Sequence, residues 1–524
     1  MRSERALAAL SGVLAGAAGL AVGELAAAAV RREASPVAAV GDAAIELAPA
    51  GITDWAIDTF GGNDKAALEI GIVALLGLFA LGLGVLAARR RLAGAAGALL
   101  FGVVGTVAAV TRAGAGVSDA VPSVLAGLTA AGVLILLVAR LVPVAHEYED
   151  DEGHVEVELA FDRRAFVAAA ATVAAASAGA GVLGRGLRSA DDAQAAASRA
   201  AVTIPAADSP AGPVPPGAAF DVEGLSPYVT TTRDFYRIDT ALRVPRVDAT
   251  RWRLRVHGTG VARPLTVTFD DLLGGELIER DITLACVSNA VGGTLIGNAR
   301  WVGVRLADLL RGAGVRPPSE GGPADQLVAR SVDGMTLGSP LETVMDGRDA
   351  LLAVGMNGEP LPFEHGFPVR MVVPGLYGYV SACKWLDELE LTTFADYDAY
   401  WVNRGWAARG PIKTQSRIDT PRRSTPVRPG TVPVAGVAWA QHTGVERVEV
   451  RVNEGRWQEA RLAEETTADT WRQWVWDWQA EPGEHRLQVR ATDRSGYTQT
   501  EEYSGTAPDG ATGWHSVGVT VREG

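Results

Sequence analysis

The chain has 524 residues, 13 of them Trp, with Lys+Arg 48 against Asp+Glu 61 for a formal charge of −13. No basic cluster is large enough to neutralise a row of phosphates, which sets nucleic-acid binding aside. Two cysteines, Cys286 and Cys383, can build neither a disulfide framework nor, by themselves, a cysteine-rich zinc or iron–sulfur site.

The averages hide two unlike halves. Residues 1–184 are dominated by Ala, Gly, Leu and Val, whereas 185–524 hold 12 of the 13 Trp. Five runs in the first part are apolar over about 18–20 residues, enough helix to cross a hydrocarbon core of about 30 Å. They are 6–23 (continuing past Glu24 to Val30), 70–88, 92–111, 120–139 and 165–184. A single run of this kind could be a buried core helix; five in succession predict a membrane domain over 1–184. Arg2, Arg5, Arg89, Arg90, Arg91, Arg140, Arg163 and Arg164 fall on one side if the N-terminus is cytoplasmic. Arg31, Arg32, Lys65 and Arg112 fall on the other, so the bias is incomplete. Five spans then place residues 185–524 outside the cytoplasmic membrane.

The fifth span opens on Asp162-Arg163-Arg164-Ala165-Phe166 and is Ala-rich, which resembles a twin-arginine export signal set inside the chain. The plain alternative is a positive-inside pair. The acidic stretch 146–158 before it reads as a solvated cytoplasmic loop. None of the seven His lies in a span, and no Cys-x-x-Cys-His motif occurs, so the helices read as an anchor or as a contact surface for another electron carrier.

Residues 185–219, ending TIPAADSPAGPVPPG, have a composition that cannot bury a core and predict a spacer. From Phe220 the texture becomes short strands and helices. WRLRVHG (252–258) alternates as a half-buried strand does. TFDDLLGG (268–275) and WVGVRLADLLRGAGV (301–315) read as strand-to-helix units, the second closed by Gly312 or Gly314. This predicts an α+β domain over 220–418. Beyond it, over 419–524, PVAGVAWA, RVEVRVN, TWRQWVWDW, HRLQVRATD and HSVGVTVRE are alternating strands separated by turns, the pattern of an immunoglobulin-like β-sandwich. The Trp run at 471–478 supplies core and interface to it.

Several segments carry a resemblance. LACVSNAVGG (284–293), GNARWVGVRLADLL (297–310) and, above all, the block from Leu337 to Leu391 with MNGEPLPFEHGFPVRMVVPG and SACKWLDELEL resemble the sulfite oxidase-type molybdopterin oxidoreductases. The resemblance covers roughly 220–524 and leaves the membrane half unexplained. It implies a molybdenum–molybdopterin cofactor with Cys286 as thiolate ligand and catalytic residue. A soft thiolate suits that metal, and Cys286 leaves a strand-like run (281–285) for a Gly-rich loop that allows close backbone approach. A lone buried Cys is otherwise an inert structural thiol.

The resemblance further implies that Asp333, His365, Arg370, Ser381, Cys383 and Lys384 bind the cofactor, whose phosphate calls for fixed cations and backbone donors. The family has one residue fewer between Val-Pro-Gly and Lys-Trp, which leaves Ser381 or Ala382 for one position. The animal enzymes carry Arg-Asn-His before a Pro-Val-Pro turn, and that arginine binds the anionic substrate; Arg237 is its nearest counterpart, with Asp239 and Thr240 in place of the Asn-His pair. Their catalytic tyrosine falls nearest Asn403 or Trp406. The sandwich resembles the family's dimerisation domain, implying a homodimer.

The expected function is two-electron oxygen-atom transfer on a small oxyanion or S-oxide, with sulfite oxidation as one candidate reaction. The partners expected are the membrane, a small-molecule substrate and an electron-transfer protein. One alternative is reduction of sulfoxides or N-oxides with membrane-derived electrons. The other is a non-catalytic cell-surface binding protein on the same fold.

Overall fold

The apolar runs form helices, and the helices group into one of two separate units. A computed structural model describes residues 2–48, 52, 59–60, 64–112, 114–141, 144–149, 155–160, 162–423 and 426–523. Contacts divide the chain into a first unit, 1–194 with 240–244, and a second, 195–239 with 245–524.

Among the described residues five helices are long and apolar enough to cross a membrane: Arg5–Val30, Lys65–Arg89, Arg91–Thr111 and Val117–Ala139 in the first unit, and Arg163–Ala201, whose last residues belong to the second. They pack through glycines. A Cβ on Gly12 would run into the Ala80 carbonyl, and one on Gly84 into the Ala8 carbonyl. Gly102 and Gly127 meet likewise, a Cβ on the first lying 2.9 Å from the Cα of the second. Close backbone approach is what holds helices together where lipid removes the hydrophobic drive. Ala15, Ala87, Leu134 and Val138 fill the seam beside them.

Two features of this unit were not foreseen. A twelve-residue helix, Pro36–Leu47, follows the first span; Ser35 caps it by accepting from the Ala38 N–H at 3.4 Å. It is too short to cross a bilayer. The acidic stretch read as a plain loop instead pairs as a hairpin, β1 (Val144–Glu149) with β2 (Val155–Ala160), in the register Val144 to Ala160; residues 150–154 lie outside the described residues.

The basic residues that broke the charge bias have partners. Arg31 meets Asp119 at 3.1 Å, Arg32 meets Asp191 and Asp192 at 2.8 and 2.5 Å, and Arg112 meets Asp42 at 3.0 Å. Lys65 donates to the Ala241 carbonyl at 2.5 Å. Pairing of this kind gives each of the three guanidinium groups a local counter-charge in the fold.

The segment expected to be a spacer is ordered. The helix Arg163–Ala201 continues well past the apolar run. Arg199 then donates to the carbonyls of Leu361 and Pro360, both at 2.7 Å. Ser209 accepts the Glu279 N–H at 2.9 Å, and Asp208 accepts that of Leu277 at 2.9 Å. The chain here lies along a strand as an extra edge, and that pairing overrides a composition suited to a loose linker.

The second unit contains two five-stranded sheets and a sandwich. One sheet orders β3 (Arg253–Gly258), β4 (Leu265–Thr268), β7 (Gln326–Ser331), β8 (Thr336–Pro340) and β12 (Leu386–Thr392) as β4-β3-β12-β7-β8, with β3 and β12 parallel. The other joins β5 (Leu277–Ala285), β6 (Ile296–Arg305), β9 (Leu351–Met356) and β10 (Glu359–Pro360) as β10-β9-β6-β5, with β11 (Arg370–Val372) also on β9. All six residues of β9 are buried, which explains its continuous apolar run, and the last five of β5 are buried too, Asp281 and Thr283 among them. WVGVRLADLLRGAGV folds as read: β6 runs into the helix Leu306–Gly312, and Gly314 takes the left-handed turn at φ 83°.

The sandwich comprises β13 (Gln415–Thr420), β14 (Gly430–Trp439), β15 (Val445–Val452), β16 (Gln458–Glu459), β17 (Arg461–Leu462), β18 (Arg472–Ala480), β19 (Gly483–Asp493) and β20 (His515–Val521). Its sheets order β13-β14-β18-β17 and β16-β15-β19-β20. Trp474, Trp478 and the inward Val and Ala of both sheets form the core between them. Alternation along β18 puts Trp474, Trp476 and Trp478 on the core face, the first and last buried and Trp476 partly buried against them.

Candidate active site

Cys286 stands where β5 ends. Its N–H donates to the Leu295 carbonyl at 2.9 Å, so the loop closes at its base and returns as β6. Within the loop Gly293 N–H reaches the Ala290 carbonyl at 2.8 Å, and Asn289 Oδ1 accepts the Leu295 N–H at 2.9 Å. Gly292 holds φ 78°, a left-handed conformation that a side chain would strain. The sulfur is 7% exposed as part of its residue and accepts the Ser288 N–H at 3.4 Å. Burial pushes the thiol up, while the Ser288 backbone and hydroxyl pull it down. Two donors thus already favour a sulfur anion that burial alone disfavours, a balance that a bound cation would tip.

The phosphate-binding candidates lie around β11. Arg370 is 5% exposed and forms no ion pair among the described residues. Its guanidinium lies 5.0 Å over the Trp301 ring and donates to the His365 carbonyl at 3.3 Å; its Nε has no partner. Burial lowers it to about 10. A buried cation with an orphaned donor is costly, and it is what an anionic cofactor group would satisfy.

His365, on the turn Phe363–His365, has Nε2 at 3.0 Å from the Thr232 carbonyl and its ring edge-on to Phe235. Burial first, then the Arg370 charge, lowers it to about 4, so it is neutral. With Nε2–H donating to the carbonyl, Nδ1 is left as an acceptor.

The remaining predicted residues are engaged more heavily than expected. Lys384 pairs with Asp239 at 2.9 Å and donates to the Glu364 carbonyl at 3.3 Å. Ser381 turns its hydroxyl back onto the carbonyls of Leu376 and Tyr377, at 2.9 and 3.0 Å, so it offers a ligand backbone rather than a hydroxyl. Cys383 is a free thiol, 1% exposed and held well above its ordinary value by burial and by Asp333. Asp333 accepts the Met335 N–H at 3.2 Å, closing a turn between β7 and β8. Arg237 has a 39% exposed side chain and sits 3.4 Å from Asp239. Asn403 is exposed and donates to the Asp398 carbonyl, and Trp406 packs on Tyr379 and Trp401.

One residue that sequence reasoning passed over is Tyr236. Its hydroxyl lies 3.7 Å from where a Cβ of Gly378 would stand, a point also 3.7 Å from the Ala285 carbonyl, and it makes no hydrogen bond among the described residues. Burial raises the phenol above its ordinary range, the Cys286 thiol raises it further, and Arg370 draws it down. Tyr236 therefore feels both the sulfur and the buried cation. The segment around it is irregular, so no periodicity in the sequence marked it.

Comparison with known proteins agrees with this chemistry. Residues 241–401 match the oxidoreductase molybdopterin binding domain family. An uncharacterized oxidoreductase of Bacillus subtilis is 34% identical over 163 residues, 31% of this chain and 76% of that protein. The chain belongs to the sulfite oxidase-type molybdopterin oxidoreductases. Mitochondrial sulfite oxidase of Rattus norvegicus is 31% identical over 344 residues, 56% of this chain and 62% of that protein, so the chain spans less than two thirds of that relative. Sulfane dehydrogenase SoxCD of Paracoccus pantotrophus aligns at 25% identity with a TM-score of 0.48, over 58% of this chain and 85% of that one. Membership makes the chain an oxidoreductase and implies a molybdenum–molybdopterin cofactor, which the orphaned Arg370 Nε and the donor-supported Cys286 sulfur both fit. A purely binding role on an emptied fold is set aside accordingly.

Proposed function

We propose that this chain is a membrane-anchored oxidoreductase that carries out two-electron oxygen-atom transfer on a small oxyanion or S-oxide outside the cytoplasmic membrane, with sulfite as the leading substrate. The observation that carries this reading is the buried Arg370, which has an orphaned Nε and no ion pair among the described residues. Molybdenum, when bound, supplies the two-electron oxygen-atom chemistry. Cys286 is its protein ligand, and the Ser288 N–H holds the sulfur's negative charge. Arg370 takes the cofactor's phosphate, with Lys384, Asp333, Cys383 and the Ser381 backbone around it. Neutral His365 accepts a hydrogen bond at Nδ1 and cannot compete with Arg370 for the anion. Tyr236, protonated at neutral pH, donates to an oxygen of the substrate.

A second reading, reduction of an S-oxide or N-oxide, has one observation in its favour. Arg237, the candidate for anion binding, is tied to Asp239, which also takes Lys384. That arrangement demands less negative charge of a substrate. The membrane helices anchor the enzyme and meet an electron carrier. The sheet orders of the C-terminal domain support an immunoglobulin-like sandwich, which we take as the homodimer interface.

The test uses the purified full chain with its molybdenum content measured. Sulfite oxidation with an artificial acceptor is compared with reduction of dimethyl sulfoxide and trimethylamine N-oxide by a reduced viologen. Turnover of sulfite alone selects the first reading. A loaded enzyme inert to all three would end both. Cys286→Ser should abolish turnover while leaving the pterin bound.

A further inference from the structure

The Cys286 loop is held from the sandwich side. Arg417, on β13 and 6% exposed, donates from Nη1 to the Gly293 carbonyl at 2.7 Å. The same guanidinium donates from Nε to Asp419 at 2.6 Å and from Nη2 to the Ser226 hydroxyl at 3.0 Å. All three faces of the fork are used, a geometry that a lysine cannot copy. Asp419 in turn accepts the Ser226 N–H at 3.0 Å.

His515, the first residue of β20, completes the grip. Its Nδ1 accepts the Ile418 N–H at 3.0 Å, and its ring fills the space that a Cβ on Gly292 would need. Burial and then the Arg417 charge keep that ring neutral, against the weaker pull of Asp419. Gly292 and Gly293 are thus pressed by a ring on one side and tied by a guanidinium on the other.

The strand that delivers Cys286 is bound by the sandwich as well. Thr283 of β5 donates its N–H to the Asp469 carbonyl at 2.9 Å and accepts from Gln441 Nε2 at 3.0 Å on its own carbonyl. Its hydroxyl accepts the Trp471 N–H at 2.8 Å. Both the approach to the cysteine and the turn after it therefore run through sandwich residues.

We infer that the C-terminal sandwich is a working part of the catalytic site, with Arg417 as the positioning residue that sets the direction of the Cys286 sulfur through the Gly292–Gly293 turn. This rests on Cys286 being the metal ligand. A dimerisation module alone has no need of a buried three-way guanidinium beneath the loop. Moving the turn by a few tenths of an ångström rotates the loop about its base at Cys286 and Leu295, and changes how the sulfur meets the metal.

The experiment uses the full-length holoenzyme and two variants. Arg417→Lys keeps the charge opposite Asp419 and reaches fewer partners. The double variant Arg417→Met with Asp419→Asn removes cation and carboxylate together, so that neither is left buried alone. Pterin and molybdenum contents are measured first, then the Mo(V) electron paramagnetic resonance signal during titration with dithionite. The expected result is wild-type pterin content with shifted g-values in both variants, larger in the double one. A wild-type signal in either fully loaded variant would overturn the inference. Cys286→Ser, run alongside, must change the signal; if it does not, the ligand reading fails whatever Arg417 does.

Discussion

Replacing Arg370 by Met separates the cost of the site from its use. The guanidinium is fully buried, and burial lowers it from 12.5 to about 10. At about 1.4 kcal/mol per unit, holding it charged costs the cofactor-free fold about 3 kcal/mol. What the charge gains in return is small: one long hydrogen bond to the His365 carbonyl and its seat over Trp301, together about 1–2 kcal/mol. Met keeps the apolar stem against Trp301. The cofactor-free Arg370→Met chain should therefore be more stable than the parent, by about 1–2 kcal/mol. The loaded parent, in contrast, should be the more stable of the two, because cofactor binds only the folded state and the variant should bind none. The assay is urea unfolding of the full chain followed by Trp fluorescence, on protein made with and without pterin synthesis. A cofactor-free variant less stable than the parent, or one that retains a full pterin complement, would refute the argument.

The other predictions concern charge, export and helix packing. His515 is neutral in the fold with a value near 4, against 6.5 when unfolded, so the unfolded state takes up its proton first and stability is lost as pH falls from 6.5 toward 4. His365 adds the same sign, and Asp387, raised to about 6, opposes both by binding a proton in the folded state. His515→Gln should reduce the stability slope between pH 6.5 and 5 by about 1 kcal/mol per unit on average; an unchanged slope would mean the ring is not kept neutral. Changing Arg163 and Arg164 together to Lys keeps the charge and removes both guanidinium groups, and should strand the catalytic half in the cytoplasm if a twin-arginine route exports it. External protease that still reaches that half would reduce the pair to topology signals. Gly12→Leu should prevent the helices Arg2–Val30 and Asp64–Arg89 from packing, read as loss of full-length protein from the membrane fraction, whereas Gly77→Leu, with nothing within 4 Å of its Cβ, should be neutral.

The sequence by itself determined what depends on local pattern. Five long apolar runs became helices long and apolar enough to cross a membrane, because an unbroken apolar run of that length, with every backbone bond made within the segment, favours a helix. The β6-to-helix unit at 296–312 and the sandwich strands followed from periodicity and turn residues. The block around Arg370 was legible because a dense motif survives as sequence.

Tertiary structure decided where charge and burial act across distance. Composition called 185–219 a spacer, yet backbone pairing along β5 recruits it. Arg237, the expected anion-binding arginine, lies 3.4 Å from Asp239, and the hydroxyl of its neighbour Tyr236 lies near the end of the Cys286 strand, neither of which the sequence alone places. Arg417 and His515 lie 131 and 229 positions after Cys286, and nothing local links them to it. Their contact with the Gly292–Gly293 turn exists only because the sandwich folds back over the loop. Hydrogen bonds of that kind are set by the packing of whole domains, which no window along the chain can read.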